Sequence, residues 1–337
     1  MSPSVTIRTE VNAGVATGHA VRCLALASAL KKVGAGTVEI LCEASDVIGS
    51  MAAALAIDHV AVAPGTYPDS SDDAQATAAR GADVIVVDSP HLSAEWVSAA
   101  RAGGSRVAYL AGPSGPGDMA ADLCIWPDAC PQIRFRSVPF RCGLEHTLLT
   151  PDYWSTRPRE RTGDIRDVLV TTGGADHFDL CAMSVGVLDA VLRDPVSVTV
   201  IVGQFFKNRA RIEAAAAASR HRVTLVDSPS GLKTFLEAAD FVISGGGGTL
   251  YEMARLGLPG IGIAIWPIQG ATVDALAALG TIRGLHWSNA EIMKSDLENA
   301  VACLGANGTE RRAMAVRGPE VIDGQGAMRT AALLLEG

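Results

Sequence analysis

A strand, a turn and a helix are predicted in direct succession by the stretch Phe241-Val-Ile-Ser-Gly-Gly-Gly-Gly-Thr-Leu-Tyr-Glu-Met-Ala-Arg-Leu-Gly-Leu-Pro259. The apolar run Phe241 to Ile243 predicts a buried strand. The glycines Gly245 to Gly248 predict a turn that a residue with a Cβ would enter less easily. Apolar residues at helical spacing from Thr249 predict a helix that ends at Gly257-Leu-Pro259.

This strand, turn and helix predict an anion-binding site, since backbone N–H groups and the positive end of the helix dipole point at the turn. Glu252 would repel a phosphate placed directly on it, but beside a phosphate it would accept hydrogen bonds from sugar hydroxyls. The pattern favours a nucleotide diphosphate on Ser244, Gly246, Gly247, Gly248, Thr249 and Glu252. The stretch alone leaves open a tight connection with Glu252 as a favourable first-turn charge.

Composition narrows the class of protein. The 337 residues suffice for two domains, and 48% hydrophobic against 19% charged residues predicts sizeable cores. A net charge of -8 argues against a nucleic-acid partner. The sequence shows no signal-peptide pattern and no apolar run of membrane-spanning length, so we expect a soluble cytoplasmic protein. Seven scattered cysteines without a C-x-x-C pair predict neither a disulfide framework nor a zinc site.

Strand-like and helix-like segments alternate along the chain, which is typical of parallel sheets with crossover helices. The charged, proline-containing stretch 151–165 interrupts this alternation. We therefore predict an α/β fold of two Rossmann-like domains facing each other across a cleft. The first would span residues 1–150 and the second residues 166–337, with 151–165 as a linker.

Asn12 to Leu26 follows the first predicted strand and contains a candidate base. Gly14 and Gly18 keep this loop small, and His19 lies in the first turn of the next helix. The helix dipole disfavours imidazolium there, so we expect a neutral His19 that is available as a base. A capping or surface histidine remains the alternative. Arg22 is either an anion contact or an ordinary helix arginine.

Val170-Thr-Thr-Gly-Gly-Ala-Asp176 ends the first strand of the second predicted domain. Glycines at a strand's carboxyl end let backbone N–H groups approach a ligand, with Thr171 or Thr172 as hydroxyl donors. A simple turn containing Asp176 is the alternative. Residues predicted to be surface or capping residues are Glu145, His146, His59, His91, His177, His221 and His286.

Four motifs in order resemble a known family. They are Gly18-His-x-x-Arg-Cys-Leu-x-Leu26, Arg141-Cys-Gly-x-x-x-x-Leu-Leu-x-Pro-x-Tyr153, Thr172-Gly-Gly-Ala-Asp176 and Ile243-Ser-Gly-Gly-Gly-Gly-Thr-Leu-Tyr-Glu252, supported by Gln269 and the tail Ile322 to Arg329. Together they resemble the UDP-sugar hydrolases of pseudaminic acid synthesis and related spore-coat polysaccharide proteins.

The resemblance implies a two-domain glycosyltransferase-B fold, similar to the peptidoglycan glycosyltransferase that adds N-acetylglucosamine. It also implies cleavage by water of the sugar C1–O bond of UDP-2,4-diacetamido-2,4,6-trideoxy-altrose, with release of UDP and without a metal or other cofactor. His19 would be the base, Thr249 would hold phosphate and Glu252 ribose. The implied substrate contacts are Gly18, Arg22, Asp88, Thr172, Gly173, Gly174 and Gln269.

The sequence departs from the family's pattern at several positions, most of which would face the sugar rather than the nucleotide in the predicted cleft. Val15-Ala16 replaces Ile-Gly, Asp88-Ser-Pro90 lacks a Tyr, Ala111-Gly112 replaces an acidic pair, and Ile268 replaces Asn. Three functions therefore remain open, and we give them in order of preference. The first is hydrolysis of a UDP-amino sugar in surface-polysaccharide or flagellin-sugar synthesis. The second is a glycosyltransferase whose acceptor hydroxyl replaces water, and the third is a nucleotide-sugar binding protein without catalysis.

Overall fold

The chain divides into two compact units. The computed structural model describes residues 2–12, 15, 17–111, 119–130, 135, 138–159 and 163–336. The first unit is Met1–Trp154 with Gly324–Gly337, and the second is Ser155–Asp323. The division at Trp154 falls within the stretch predicted as the linker. The prediction that 166–337 forms one domain is wrong at its end, because Gly324–Gly337 packs with the first unit.

The first unit is a seven-stranded parallel sheet in the order β3-β2-β1-β4-β5-β6-β7, with a crossover helix after each of the first four strands of the chain. Its strands are β1 Val5–Thr9, β2 Val38–Glu43, β3 Asp58–Val62, β4 Val84–Asp88, β5 Arg106–Leu110, β6 Leu123–Trp126 and β7 Phe140–Cys142. Its helices are α1 Gly18–Lys32, α2 Asp46–Ala54, α3 Ser71–Ala78, α4 Ala94–Ala102, α5 Pro151–Trp154 and α13 Gly326–Leu335.

The second unit is a six-stranded parallel sheet in the order β10-β9-β8-β11-β12-β13. Its strands are β8 Asp167–Thr171, β9 Ser197–Val202, β10 Arg222–Asp227, β11 Phe241–Gly245, β12 Gly260–Ala264 and β13 Arg283–His286. Its helices are α6 Leu180–Val191, α7 Arg209–Ala218, α8 Lys233–Ala238, α9 Thr249–Arg255, α10 Gly270–Ala278, α11 Ala290–Ala306 and α12 Gly308–Val321. The predicted alternation of strands and helices is thus confirmed.

Three elements, α3, β13 and α12, lack the apolar sequence pattern that would predict a helix or a strand. Helix α3 has a polar sequence without a marked apolar stripe, and the Ser70 side chain caps it by accepting the Asp73 N–H. Strand β13 is a half-buried edge strand without a continuous apolar run. Helix α12 contains Pro319 and has few buried residues, so no apolar stripe marks it.

Helix α13 completes the core of the first unit. Ala327, Ala331 and Leu334 on this helix are fully buried and belong to the same apolar cluster as Leu26 and Leu30 of α1. The tail of the chain is therefore a structural part of the unit that contains the N-terminus.

A disulfide joins Cys130 to Cys142, whose Cα atoms are 5.2 Å apart. The prediction of no disulfide framework does not hold for this pair. The pairing of β6 with β7 places Cys142 beside Trp126, shortly before Cys130 in the chain. Sequence spacing alone does not reveal this pairing. Among the unpaired cysteines, Cys303 is exposed and the others are buried.

We predict that Gly326→Ala destabilises the first unit. A Cβ at this position would lie 2.2 Å from the Thr147 carbonyl oxygen, so α13 would have to shift. Such overpacking costs about 1–3 kcal/mol. Hydrogen exchange followed by mass spectrometry should show faster exchange in α1 and α13. Gly305→Ala is the control, because its Cβ would meet Leu192 at an ordinary 3.5 Å. Equal exchange in the two variants would contradict the assignment of α13.

Candidate functional site

The strand order of the first sheet reverses between β1 and β4, and the candidate residues of the first unit lie there. In open α/β sheets ligands bind beyond the carboxyl ends of the strands at such a point. Thr9, the last residue of β1, is the register partner of Asp88, the last residue of β4. The segments that follow, from Glu10 and from Ser89, therefore start side by side.

The Asp88 carboxylate is fully buried and holds three side chains of α1. Its Oδ1 lies 2.7 Å from His19 Nδ1. Arg22 donates through Nε to Oδ2 and through a terminal nitrogen to Oδ1, each at 2.5 Å. The Cys23 thiol donates to Oδ2 at 3.4 Å. Three predicted site residues thus meet, and Arg22 contacts an anion that belongs to the chain itself.

The protonation of this group follows from its contacts. Burial alone would raise the pKa of Asp88, but the charge of Arg22 and the contact with His19 hold it well below its ordinary value. Burial raises the pKa of the Cys23 thiol well above its ordinary value, and the negative charge of Asp88 adds to this rise. The site therefore contains a permanent carboxylate and a neutral thiol at neutral pH.

An ionised Asp88 fixes the orientation of His19. Nδ1 donates to the carboxylate, and Nε2 is then the ring nitrogen that can accept a proton, with the tautomer assigned from the partners. Arg22 also lies 3.2 Å from Nδ1, but both groups would be donors, so the carboxylate is the partner of Nδ1. Gly18 is exposed, and a Cβ there meets no atom within 4 Å. Gly14, Ala16 and Gly112 lie outside the described residues.

The second sheet reverses its strand order between β8 and β11, so the loops after these strands are neighbours. They are the two glycine-containing motifs predicted from sequence. A Cβ on Gly245 would lie 3.3 Å from the Thr172 carbonyl oxygen, which shows how closely the two backbones approach. The structure thus brings the Thr172–Gly174 loop beside the glycine turn.

The glycines of the turn serve two different purposes. A Cβ on Gly246 would be only 3.0 to 3.1 Å from Val273, Gln269 and Ile263, so close packing favours glycine there. Gly247 and Gly248 are exposed, and a Cβ on either meets no atom within 4 Å. Gly248 has φ -56, so neither packing nor backbone conformation explains it. Open space kept beside bare backbone is typical of a loop that a ligand approaches closely.

Helix α9 begins directly after the turn. Gly248 occupies the N-cap without a side-chain hydrogen bond, and Thr249 and Glu252 lie half-buried in the first turn. Ser244 is buried, and its hydroxyl donates to the Gly245 carbonyl at 3.0 Å. Ser244 therefore supports the turn from inside the sheet.

Asp176, beyond the Thr172–Gly174 loop, caps helix α6. Its two carboxylate oxygens accept the N–H groups of Leu180 and Cys181 at 2.8 and 2.9 Å. Burial raises the pKa of Asp176, and these two bonds oppose the rise. Asp176 is therefore a structural residue of the turn before α6. Gly173 has φ +87, a left-handed backbone conformation that favours glycine.

Gln269 organises the loop after β12. Its side-chain oxygen accepts the N–H groups of Ile265 and Trp266 at 2.8 and 3.2 Å. The neighbouring Trp266 is 44% exposed and contacts the rings of His177 and Phe178 at centroid distances of 5.3 and 5.4 Å. This aromatic group follows strands β8 and β12, and the sequence analysis missed it.

Two of the histidines predicted to lie at the surface are buried. His146 is 8% exposed and contacts Thr330 of α13, and His221 is 5% exposed and lies 3.3 Å from the Val196 N–H. A third, His91, is exposed but lies 2.8 Å from the buried Glu10 carboxylate. Sequence reasoning missed this pair, because its two members are 81 residues apart.

Solved structures match the chain over nearly its whole length. MurG of Acinetobacter baumannii has a TM-score of 0.65 and 16% identity, covering 99% of this chain and 100% of that chain. A putative UDP-N-acetylglucosamine 2-epimerase of Listeria monocytogenes has a TM-score of 0.66 and 14% identity, with coverage of 98% and 96%. The spinosyn forosaminyltransferase SpnP has a TM-score of 0.63 and 15% identity, with full coverage of both chains.

The fold is the glycosyltransferase-B fold. The two parallel-sheet units and these matches confirm the predicted fold class. No protein-family model and no curated protein matches the sequence. The narrower resemblance to the UDP-sugar hydrolases therefore stays a prediction.

None of the described helices is both long and apolar enough to cross a membrane. Within the same part of the chain, no group of three or more His, Cys, Asp or Glu side chains could hold a metal ion.

We predict that Asp88→Asn loosens the start of α1. The amide keeps the volume of the side chain but removes the charge that holds Arg22, which costs about 1–3 kcal/mol. Hydrogen exchange should quicken in the first turns of α1 and in β4. Asp58→Asn, at the exposed start of β3, is the control and should leave exchange unchanged. Unaltered exchange in Asp88→Asn would show that the carboxylate does not organise this site.

Proposed function

We propose that the chain is a nucleotide-sugar-dependent glycosyltransferase whose second unit binds the UDP moiety and whose first unit supplies the acid–base group. The observation that carries this proposal is the turn Gly246–Thr249, open at Gly247 and Gly248, beside the Thr172–Gly174 loop at the strand-order reversal of the second sheet. Backbone N–H groups at such a loop suit a diphosphate. Glu252, in the first turn of α9, would accept hydrogen bonds from ribose hydroxyls.

The reaction needs few groups because UDP is a good leaving group. The acceptor hydroxyl oxygen attacks the anomeric carbon, the C1–O bond to the diphosphate breaks, and its electron pair leaves with UDP. The hydroxyl proton goes to Nε2 of His19, which Asp88 orients through Nδ1. N–H groups of the glycine turn would stabilise the charge that develops on the phosphate.

Transfer and its main competitor, hydrolysis, are each favoured by one observation. A matched structure of the same fold and full length carries the name of a sugar transferase, which supports transfer. Hydrolysis of a UDP-amino sugar, as in nonulosonic acid or surface polysaccharide synthesis, is the second candidate. The motifs around Gly18, Thr172 and Ser244 favour it, since they resemble the UDP-sugar hydrolases. Water would then replace the hydroxyl, and His19 would keep its role.

Gly247→Ala tests the nucleotide site without disturbing the fold. The added Cβ meets open space, so the free energy of unfolding should stay equal or rise by about 0.4–1 kcal/mol. A phosphate on the turn would collide with it, at a cost of about 1–3 kcal/mol, which raises the Kd of UDP about five- to 150-fold. Calorimetric titration with UDP measures this change.

Gly186→Ala is the matched control, because Gly186 is also exposed and open, but lies within helix α6. It should bind UDP as the wild type does. Equal UDP affinity in Gly247→Ala and Gly186→Ala would remove the nucleotide from the glycine turn.

His19→Gln tests the base. Loss of a positioned general base lowers turnover about 10²- to 10⁴-fold, and the Kd of UDP should not change. The assay follows UDP release from a panel of UDP-amino sugars with and without monosaccharide acceptors, with His59→Gln of β3 as control. Release that requires an acceptor supports transfer, whereas release without one supports hydrolysis. UDP binding without release under either condition would contradict both reactions.

A further inference from the structure

A second carboxylate–imidazole pair lies at the carboxyl edge of the first sheet. Glu10 follows β1 and is 2% exposed, whereas His91 follows β4 and its side chain is 46% exposed. His91 Nδ1 is 3.0 and 2.8 Å from the two Glu10 oxygens. The Ser89 hydroxyl donates to Glu10 and accepts the His91 N–H at 2.8 Å. The Tyr67 ring lies 4.6 Å from the imidazole, centroid to centroid.

The charges of the two pairs differ. Asp88 is already paired with the guanidinium of Arg22. Within the described part of the chain, no Arg or Lys forms an ion pair with Glu10, whose other donors are Ser89 and the Asn12 amide, the latter at 3.4 Å. A buried carboxylate needs hydrogen-bond donors, so the Nδ1 proton of His91 points at Glu10. Nε2, the other ring nitrogen of this half-exposed side chain, is then left as an acceptor.

We propose that Glu10, Ser89, His91 and Tyr67 form a hydroxyl-binding subsite of the first unit for a sugar-like acceptor. Nε2 of His91 accepts a hydrogen bond from an acceptor hydroxyl, and the Tyr67 and His91 rings offer an apolar surface to a pyranose ring. The negative charge of Glu10 disfavours anionic ligands, so the subsite selects neutral sugars. Its meaning for catalysis rests on the proposed transfer reaction, but sugar binding itself does not.

His91→Phe is the first test, because it keeps a ring beside Tyr67 and removes both nitrogens. Saturation-transfer NMR on the full chain without nucleotide gives the Kd of glucose and of N-acetylglucosamine. Loss of one hydrogen bond should raise this Kd by about two- to tenfold. The control is His286→Phe of the second unit, whose imidazole forms an exposed pair with Asp274. An unchanged Kd in His91→Phe, or no sugar binding by the wild type, would overturn the proposal.

Glu10→Gln is the second test and addresses charge. It keeps an oxygen for the His91 Nδ1 proton and removes the negative charge, so glucuronate should bind this variant more tightly than it binds the wild type. A purely structural role for Glu10 would leave the preference for glucose over glucuronate unchanged, and that result would overturn the charge selection.

Failure of the subsite and failure of the proposed function are distinguishable. UDP titration of the Gly247→Ala variant examines the second unit, and free monosaccharides examine the first. Sugar binding that depends on His91 supports the subsite even where UDP does not bind. UDP binding at the glycine turn without His91-dependent sugar binding overturns the subsite and leaves the nucleotide site in place.

Discussion

The site geometry depends on one constraint, the reversal of strand order in each parallel sheet. In each sheet the first three strands of the chain lie in order on one side, and the fourth strand pairs with the free edge of the first. The two loops at this reversal have no crossover helix between them, so residues far apart in sequence meet there. In the first unit this brings Asp88 to His19 and Glu10 to His91. In the second unit it brings the glycine turn to Thr172.

The two carboxylate–imidazole pairs of the first unit are built from crossed partners. The acid after β1 faces the histidine after β4, and the acid that ends β4 faces the histidine after β1. They are not equivalent, since the Asp88 charge is shared with Arg22 and the Glu10 charge is not shared with a cation of the described residues. One unit thus carries two imidazoles with different electrostatic surroundings, which suits two different hydroxyl-directed roles.

The sequence predicts much of the fold because strong patterns determine it. Buried parallel strands such as β8 and β12 are short, largely apolar runs, and such runs are visible in the sequence. The glycine turn before α9 and the position of His19 in the first turn of α1 likewise follow from local pattern. The position of α13 was not predictable, because its small apolar face suits either core. Glu10 with His91, and Cys130 with Cys142, were missed because topology rather than spacing creates each contact.

Hydrogen exchange of the full chain with and without UDP is the decisive measurement for the nucleotide site. UDP should slow exchange in peptides covering the glycine turn, Gly246 to Thr249, and in the loop Thr172 to Gly174. Exchange around His91 should stay unchanged. Protection confined to the first unit, or UDP binding without protection of the glycine turn, would contradict the assignment of the nucleotide site to the second unit.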